Sequence, residues 1–190
     1  MIIQLCGLSG AGKTTLTTNV RKRLEEQGVK VEIIDGDEYR KTFCRDLGFS
    51  REDRLENIRR LAFLASRFSA HGIVAIISAI NPYQALRSEL KQTYPGVYTV
   101  YIECPLNVLI GRDTKGLYKR ALLPDGHPDK LTNLTGVNDP FDVPDPADLV
   151  INTSTYPLAD CVQQFAVFIT GRLPASSYPA AHQLSAAYEK

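Results

Sequence analysis

Neither sign of charge is in excess in this chain. Its 22 lysines and arginines stand against 21 aspartates and glutamates, so no overall field draws it to nucleic acid or to an anionic membrane. No apolar run approaches the roughly 20 residues that a bilayer-spanning helix needs. The N-terminus enters a strand-like run directly, with no charged leader. Cysteine is scarce and unpaired in sequence: Cys6, Cys44, Cys104 and Cys161 form no C-x-x-C motif, and three of them lie in apolar patterns. They read as reduced, mostly buried thiols, which implies a reducing compartment and a cytoplasmic protein. Histidine is rarer still. His71 falls at a helix end, His127 in a loop and His182 near the C-terminus, none at metal-ligand spacing. Internal repeats are absent, and the one biased segment is a small-residue tail over 174–190. With 190 residues, 44% hydrophobic and 23% charged, the rest reads as one domain over 1–173 with a substantial core.

What is present begins with GLSGAGKTT. The spacing Gly7-x-x-x-x-Gly12-Lys13-Thr14 is that of a phosphate-binding P-loop, whose backbone amides must curl around phosphate oxygens where a Cβ would clash. Lys13 would reach the terminal phosphates, and the Thr14 hydroxyl would join a Mg²⁺ shell. The helix from Thr15 to Gln27 would aim its positive end at the anion. The run Met1–Cys6 supplies the preceding strand, and further strands are expected over Val29–Ile34, Ile73–Ala79, Val97–Glu103 and Ala147–Asn152. Strands alternating with helical patterns argue for an α/β fold, a parallel five-stranded sheet with helices on both faces. The ligand then lies at the carboxyl ends of the strands.

Asp35-Gly36-Asp37 stands at one of those ends and admits two readings. One aspartate acts as general base while the other organises Mg²⁺ through water, or both cap the helix that follows. Ser50–His71 is the longest helical pattern, with a capping box at Ser50–Asp53 and one apolar face through Leu55, Ile58, Leu61, Ala62, Ala65 and Phe68. Arg54 and Asn57 share another side of it, and Arg54 near its start suits an anion. Arg45, Arg51, Arg59, Arg60 and Arg67 read as solvated surface charges. The segment 113–146 is rich in Pro, Gly, Asn and Asp and lacks sustained periodicity, as a lid or binding loop does.

In order along the chain, GLSGAGKTT, DGDEYR, DLGFSREDRLENIRRLA, DTKGLYKRA and TGVNDPFDVP resemble the adenylylsulfate kinase family over about residues 3–153. The resemblance implies a P-loop kinase that moves the γ-phosphate of ATP, with Mg²⁺, to the ribose 3′-hydroxyl of adenosine 5′-phosphosulfate (APS), and a homodimer. It implies Asp37 as catalytic base, with Lys13 and the lid residue Lys115 as catalytic cations. Gly7, Ser9, Gly10, Ala11, Gly12, Lys13, Thr14 and Thr15 would bind ATP, with Arg112 against its base. Asp35, Asp37, Arg40, Arg54, Asn57, Ile80, Asn81 and Lys115 would bind the acceptor, and Phe49 would stack on its adenine. The family usually places a second aromatic where this chain has Leu134, a serine at Asn81, a basic residue at Gln84 and an asparagine at Glu38. Leucine covers a ring by dispersion without a π face, and Asn81 cannot be phosphorylated. These departures motivate an alternative, a sister kinase acting on another nucleotide or sugar-phosphate hydroxyl. A different class of reading is an ATP-binding regulatory module without turnover.

Overall fold

In the computed structural model, which describes residues 1–174, five short strands carry the chain's densest apolar runs. They are β1 (Ile2–Cys6), β2 (Val31–Asp35), β3 (Val74–Ser78), β4 (Val97–Glu103) and β5 (Leu149–Asn152). All pair in parallel in the order β2-β3-β1-β4-β5. The helices between them are α1 (Lys13–Glu26), α2 (Gly36–Tyr39), α3 (Arg51–Ala70), α4 (Gln84–Thr93), α5 (Leu106–Arg112), α6 (Leu117–Ala121) and α7 (Leu158–Thr170). The expected parallel α/β sheet is therefore present. The tail beyond 174, with His182, lies outside the described residues.

Because alternate strand residues face opposite layers, the sheet builds two cores. Ile3, Leu5, Ile76 and Val100 pack with Leu16, Val20 and Leu24 of α1 and with Phe165 and Ile169 of α7. Ile2, Ile34, Ala75 and Ile77 pack with Ile58, Leu61 and Ala65 of α3 and with Leu86 and Leu90 of α4. Each Val, Leu, Ile or Phe among them contributes about 1.5–3 kcal/mol when fully buried, so the sheet is a rigid base for the loops at its carboxyl edge. Gln4, Ser78 and Thr99 are the buried polar side chains of the strands. Gln4, fully buried in mid-β1, donates to Thr99 Oγ1 at 2.9 Å and to the carbonyl of Arg87 at 3.0 Å.

Several expected boundaries shift for local reasons. Val29 closes the turn after α1, its amide bonding back to the Leu24 carbonyl, with Gly28 left-handed at φ 78°; β2 therefore starts at Val31 and runs on to Asp35. At the other end the Asp148 carboxylate takes the Thr99 amide and the Lys91 ammonium, and β5 starts only at Leu149. Helix α3 is as expected: Ser50 Oγ accepts the Asp53 amide, and Gly72 at φ 75° follows its end.

The segment 113–146, expected to be a lid or binding loop, is more ordered than its composition suggested. Asp113 accepts the amides of Tyr118 and Lys119, which caps α6 from outside and satisfies amides a helix start leaves open. Of the arginines read as solvated, Arg45, Arg51, Arg59 and Arg67 are exposed as expected and Arg60 is half-buried, and three of the five also have partners. Arg59 forms a bidentate pair with Glu89 on α4, Arg60 pairs with Asp46 and Glu56, and the Arg51 guanidinium lies 4.4 Å from the Tyr83 ring centroid. The helix places each beside a partner that linear spacing hides.

Candidate active site

The turn from β1 into α1 makes the floor. Gly10 and Gly12 are left-handed, at φ 75° and 90°, and a Cβ on Gly7 would stand 2.5 Å from the Ile102 carbonyl oxygen. Two hydroxyls tie the loop's carbonyls from outside: Tyr118 donates to Ser9 O at 2.8 Å and Thr153 to Ala11 O at 2.9 Å. Among the described residues the amides of Ser9, Gly10 and Gly12 are left without an intramolecular partner, a ring of donors at the head of a 14-residue helix suited to an anion. Lys13 folds back over the loop, its Nζ donating to Gly7 O and Leu8 O at 2.8 and 2.9 Å. Burial, and then the charge of Lys115, push its pKa down to about 8 against the pull of Asp37.

At the end of β2, Asp35 is the cap that one of the two readings expected. Its Oδ1 caps α2 by accepting the amides of Asp37 and Glu38, while Oδ2 accepts from the Thr14 hydroxyl at 3.3 Å. Asp35 also sits opposite Ser78 in the β2–β3 register. The Ser78 hydroxyl is buried and has no protein partner. Thr14, Asp35 and Ser78 thus line one cleft with hard oxygen atoms, a donor set that fits Mg²⁺, which takes few protein ligands and completes its shell with water and phosphate. Among the described residues no group of three His, Cys, Asp or Glu side chains gathers for a metal. Asp37 extends into the cleft and accepts Lys115 Nζ at 2.7 Å. That hydrogen bond is the main reason its carboxyl titrates below the usual range.

The cleft, of about 480 Å³, takes in Lys13, Thr14, Thr15, Asp37 and Lys115, and its walls include Phe49, Arg54, Ile80 and Leu134. A smaller recess of about 70 Å³ opens beside it, lined by Arg40, Asn57 and Asn81 and sharing Asp37, Phe49, Arg54 and Ile80 with the cleft. Phe49 is 58% exposed, with the guanidinium carbons of Arg40 and Arg54 at 4.7 and 5.8 Å from its ring centroid. Asn57, 3% exposed, keeps an Oδ1 with no protein partner, the mark of a group awaiting a ligand. Arg54 is held by the lid, donating to Asn133 O at 2.6 Å and Thr135 Oγ1 at 2.9 Å.

Not every expected residue faces this space. Gly7 and Ala11 shape the loop: their amides bond to Ile80 O and Leu8 O, and neither lines the cleft. Arg112 stands outside it, donating to Thr153 O at 3.2 Å. Asn81 lines the recess, yet its Nδ2 turns into the core to Gln4 Oε1 at 3.1 Å. Leu134 is both wall and core, 5% exposed, beside Leu117 and Leu131 in the cleft lining. Sequence reasoning missed Ser78, Tyr118, Asn133 and Thr135. Ser78 carried a signal as a polar residue closing an apolar strand, and Tyr118 and Thr135 lie in DTKGLYKRA and TGVNDPFDVP, two of the motifs that carry the resemblance.

The family model for adenylylsulphate kinase matches residues 1–152. A curated adenylyl-sulfate kinase of a Synechococcus strain is 40% identical over 156 residues, 82% of this chain and 86% of that protein. One of Chloroflexus aurantiacus is 41% identical over 162 residues, 85% of this chain and 84% of the relative. The solved structure of Mycobacterium tuberculosis APS kinase in complex with AMPPNP and APS is similar at TM-score 0.82 and 29% identity, over 89% of this chain and 96% of that one.

Proposed function

This chain belongs to the adenylylsulfate kinase family, and from that premise we propose how its own residues carry out the family's reaction. It is an ATP-dependent kinase that transfers the γ-phosphoryl group to the 3′-hydroxyl of APS, giving 3′-phosphoadenylylsulfate. The observation that carries the assignment of roles is that Asp37 lines both chambers, the large cleft and the recess. A nucleotide in the cleft places its γ-phosphate over Lys13 and the P-loop amides. An acceptor whose phosphosulfate meets Arg40, Arg54 and Asn57 presents its ribose at the same carboxylate.

Asp37 is ionised at neutral pH because its carboxyl is held low, so it can take the proton from the attacking hydroxyl as the oxygen reaches phosphorus. The displaced oxygen stays on ADP. Lys115, now on Asp37, exchanges that carboxylate for the transferring phosphoryl group once nucleotide is bound, which frees the base and adds positive charge where negative charge spreads. Lys13 and the amides of Ser9, Gly10 and Gly12 neutralise the same group. Thr14, with Asp35 and Ser78 behind it, would hold Mg²⁺, which when bound draws charge from the β- and γ-phosphate oxygens. Phe49 stacks on the acceptor adenine with Leu134 on the lid side, and the family likeness assigns Arg112, beside Thr153 outside the cleft, to the ATP base.

The family likeness further leads us to propose a homodimer. Four buried free thiols, with no described helix long and apolar enough to cross a membrane, support a reducing, cytoplasmic setting. The test is ADP release in the presence of APS, of other nucleotides, and of no acceptor. Release that depends on APS is expected; faster release with another acceptor, or release indifferent to any, overturns the assignment.

A further inference from the structure

Arg87 is among the largest fully buried side chains, at 1% exposure, yet no carboxylate lies within ion-pair distance of it among the described residues. A buried, unpaired guanidinium is costly unless each N–H has an acceptor. Here four bonds are made, three of them at 2.8 Å or less. Nη1 donates to Asn81 O at 2.7 Å, Nη2 to Asp142 O at 2.6 Å and Gln84 Oε1 at 2.8 Å, and Nε to Gln84 Oε1 at 3.2 Å. Two of the acceptors are backbone carbonyls on separate segments. Asn81 follows β3 and lines the acceptor recess; Asp142 lies near the far end of the lid.

The same two segments are stitched together around this guanidinium. The Asp142 amide donates to Pro82 O, its Oδ2 accepts the Gln84 amide, and Gln4 reaches from β1 to both the Arg87 carbonyl and Asn81 Nδ2. Asn81 needs the support. It is one of two described non-glycine residues at positive φ, here 44°, a conformation that persists where its surroundings over-determine it. The preceding Ile80 carbonyl accepts the Gly7 amide. Residues 80–83 are therefore held from the P-loop, from the central strand and from Arg87.

We propose that Arg87 is a positioning residue for the acceptor half of the site: its rigid fork fixes the Asn81 peptide beside the recess and pins the lid's C-terminal end to it, so that Ile80 and Asn81 meet the acceptor in one geometry. This rests on the reading of the recess as the APS subsite. Lysine cannot replace the fork, because one ammonium on a flexible stem does not reach both carbonyls in fixed directions.

The experiment compares wild type, Arg87→Lys and Gln84→Leu. The second substitution removes an acceptor of the fork from a partly exposed position and keeps the assay available should Arg87→Lys fold poorly. Three quantities are read: Kd of a fluorescent ADP analogue, KM and kcat for APS at saturating ATP, and amide exchange over 80–83 and 139–142. Arg87→Lys is expected to raise the APS KM about tenfold or more, the scale of one lost charged hydrogen bond, with ADP-analogue binding within about twofold. Exchange should be faster in both segments together, and Gln84→Leu should shift the APS KM and the exchange in the same sense by less, with ADP-analogue binding again within about twofold. Parallel loss of ADP-analogue and APS binding, or an unchanged APS KM with unchanged exchange, overturns the proposal. Failure of the wild type to phosphorylate APS overturns the reading beneath it instead, and the exchange measurement still decides whether Arg87 ties the two segments.

Discussion

Lys13→Met separates the catalytic worth of this lysine from its cost to the fold. Displacement of its pKa from 10.5 to about 8 means that the folded protein disfavours the charged amine by about 3 kcal/mol relative to the unfolded chain. Methionine, of similar length, removes that penalty. It also removes the hydrogen bonds to Gly7 O and Leu8 O, at about 1 kcal/mol each. The balance is a gain of about 1 kcal/mol for the nucleotide-free protein at neutral pH, or about 2–4 °C in Tm at this chain length, together with loss of phosphoryl transfer. The pH dependence gives the sign an independent check. Between about 8 and 10.5 the unfolded chain still holds this proton and the folded protein has released it, so wild-type stability gains a rising contribution through that window. The variant lacks it. Urea unfolding near pH 7 and roughly pH 10 should show the variant's advantage shrinking as pH rises. A variant less stable than wild type at pH 7, with a difference that does not change with pH, would refute the reasoning.

Four further outcomes are expected. Asp37→Asn should lower kcat by about 10²–10⁴ while leaving ATP affinity intact, and Lys115→Ala, which removes the main cause of the low Asp37 pKa, should move the acidic limb of the kcat/KM profile to higher pH; an unmoved limb would show that another group titrates there. Arg54→Ala should weaken APS binding by about tenfold or more and ATP binding little, since Arg54 lines the recess and holds Asn133 and Thr135 of the lid; equal losses for both ligands would place it elsewhere. Leu134→Phe should tighten APS binding by up to about tenfold, the worth of an added aromatic stack, measured as the APS Kd with ADP present; unchanged or weaker binding would remove the sandwich around the adenine.

The features legible in the sequence were those whose cause is local. Gly10 and Gly12 announce left-handed turns, Ser50 announces a helix start, and Asp35 announces a strand end that is also a cap. The features that escaped depend on partners far along the chain. Gln4 reads as a lone polar interruption until Asn81, Arg87 and Thr99 fold around it. Arg87 reads as one more helix cation, although its place between Leu86 and Leu90 on the buried face of α4 was a signal. The lid looked irregular because the residue that caps α6 is Asp113, outside the helix it stabilises. Arg54 was found as an anion-binding candidate, but its bonds to Asn133 and Thr135 cross about 80 residues and no periodicity reports them.

The hydroxyl of Tyr118 on the Ser9 carbonyl has a consequence for the entropy of substrate capture. A lid that folded only on binding would charge the ligand about 1–2 kcal/mol of backbone freedom for each residue it ordered. Here α6 is anchored to the phosphate loop by Tyr118, and Asp142 is anchored at the other end by Arg87. Between these anchors the chain passes through Pro124, Gly126 and Pro128, where proline narrows the unfolded alternatives. Each anchor that folding itself supplies is ordering the ligand need not drive, so more of the affinity is left to contacts.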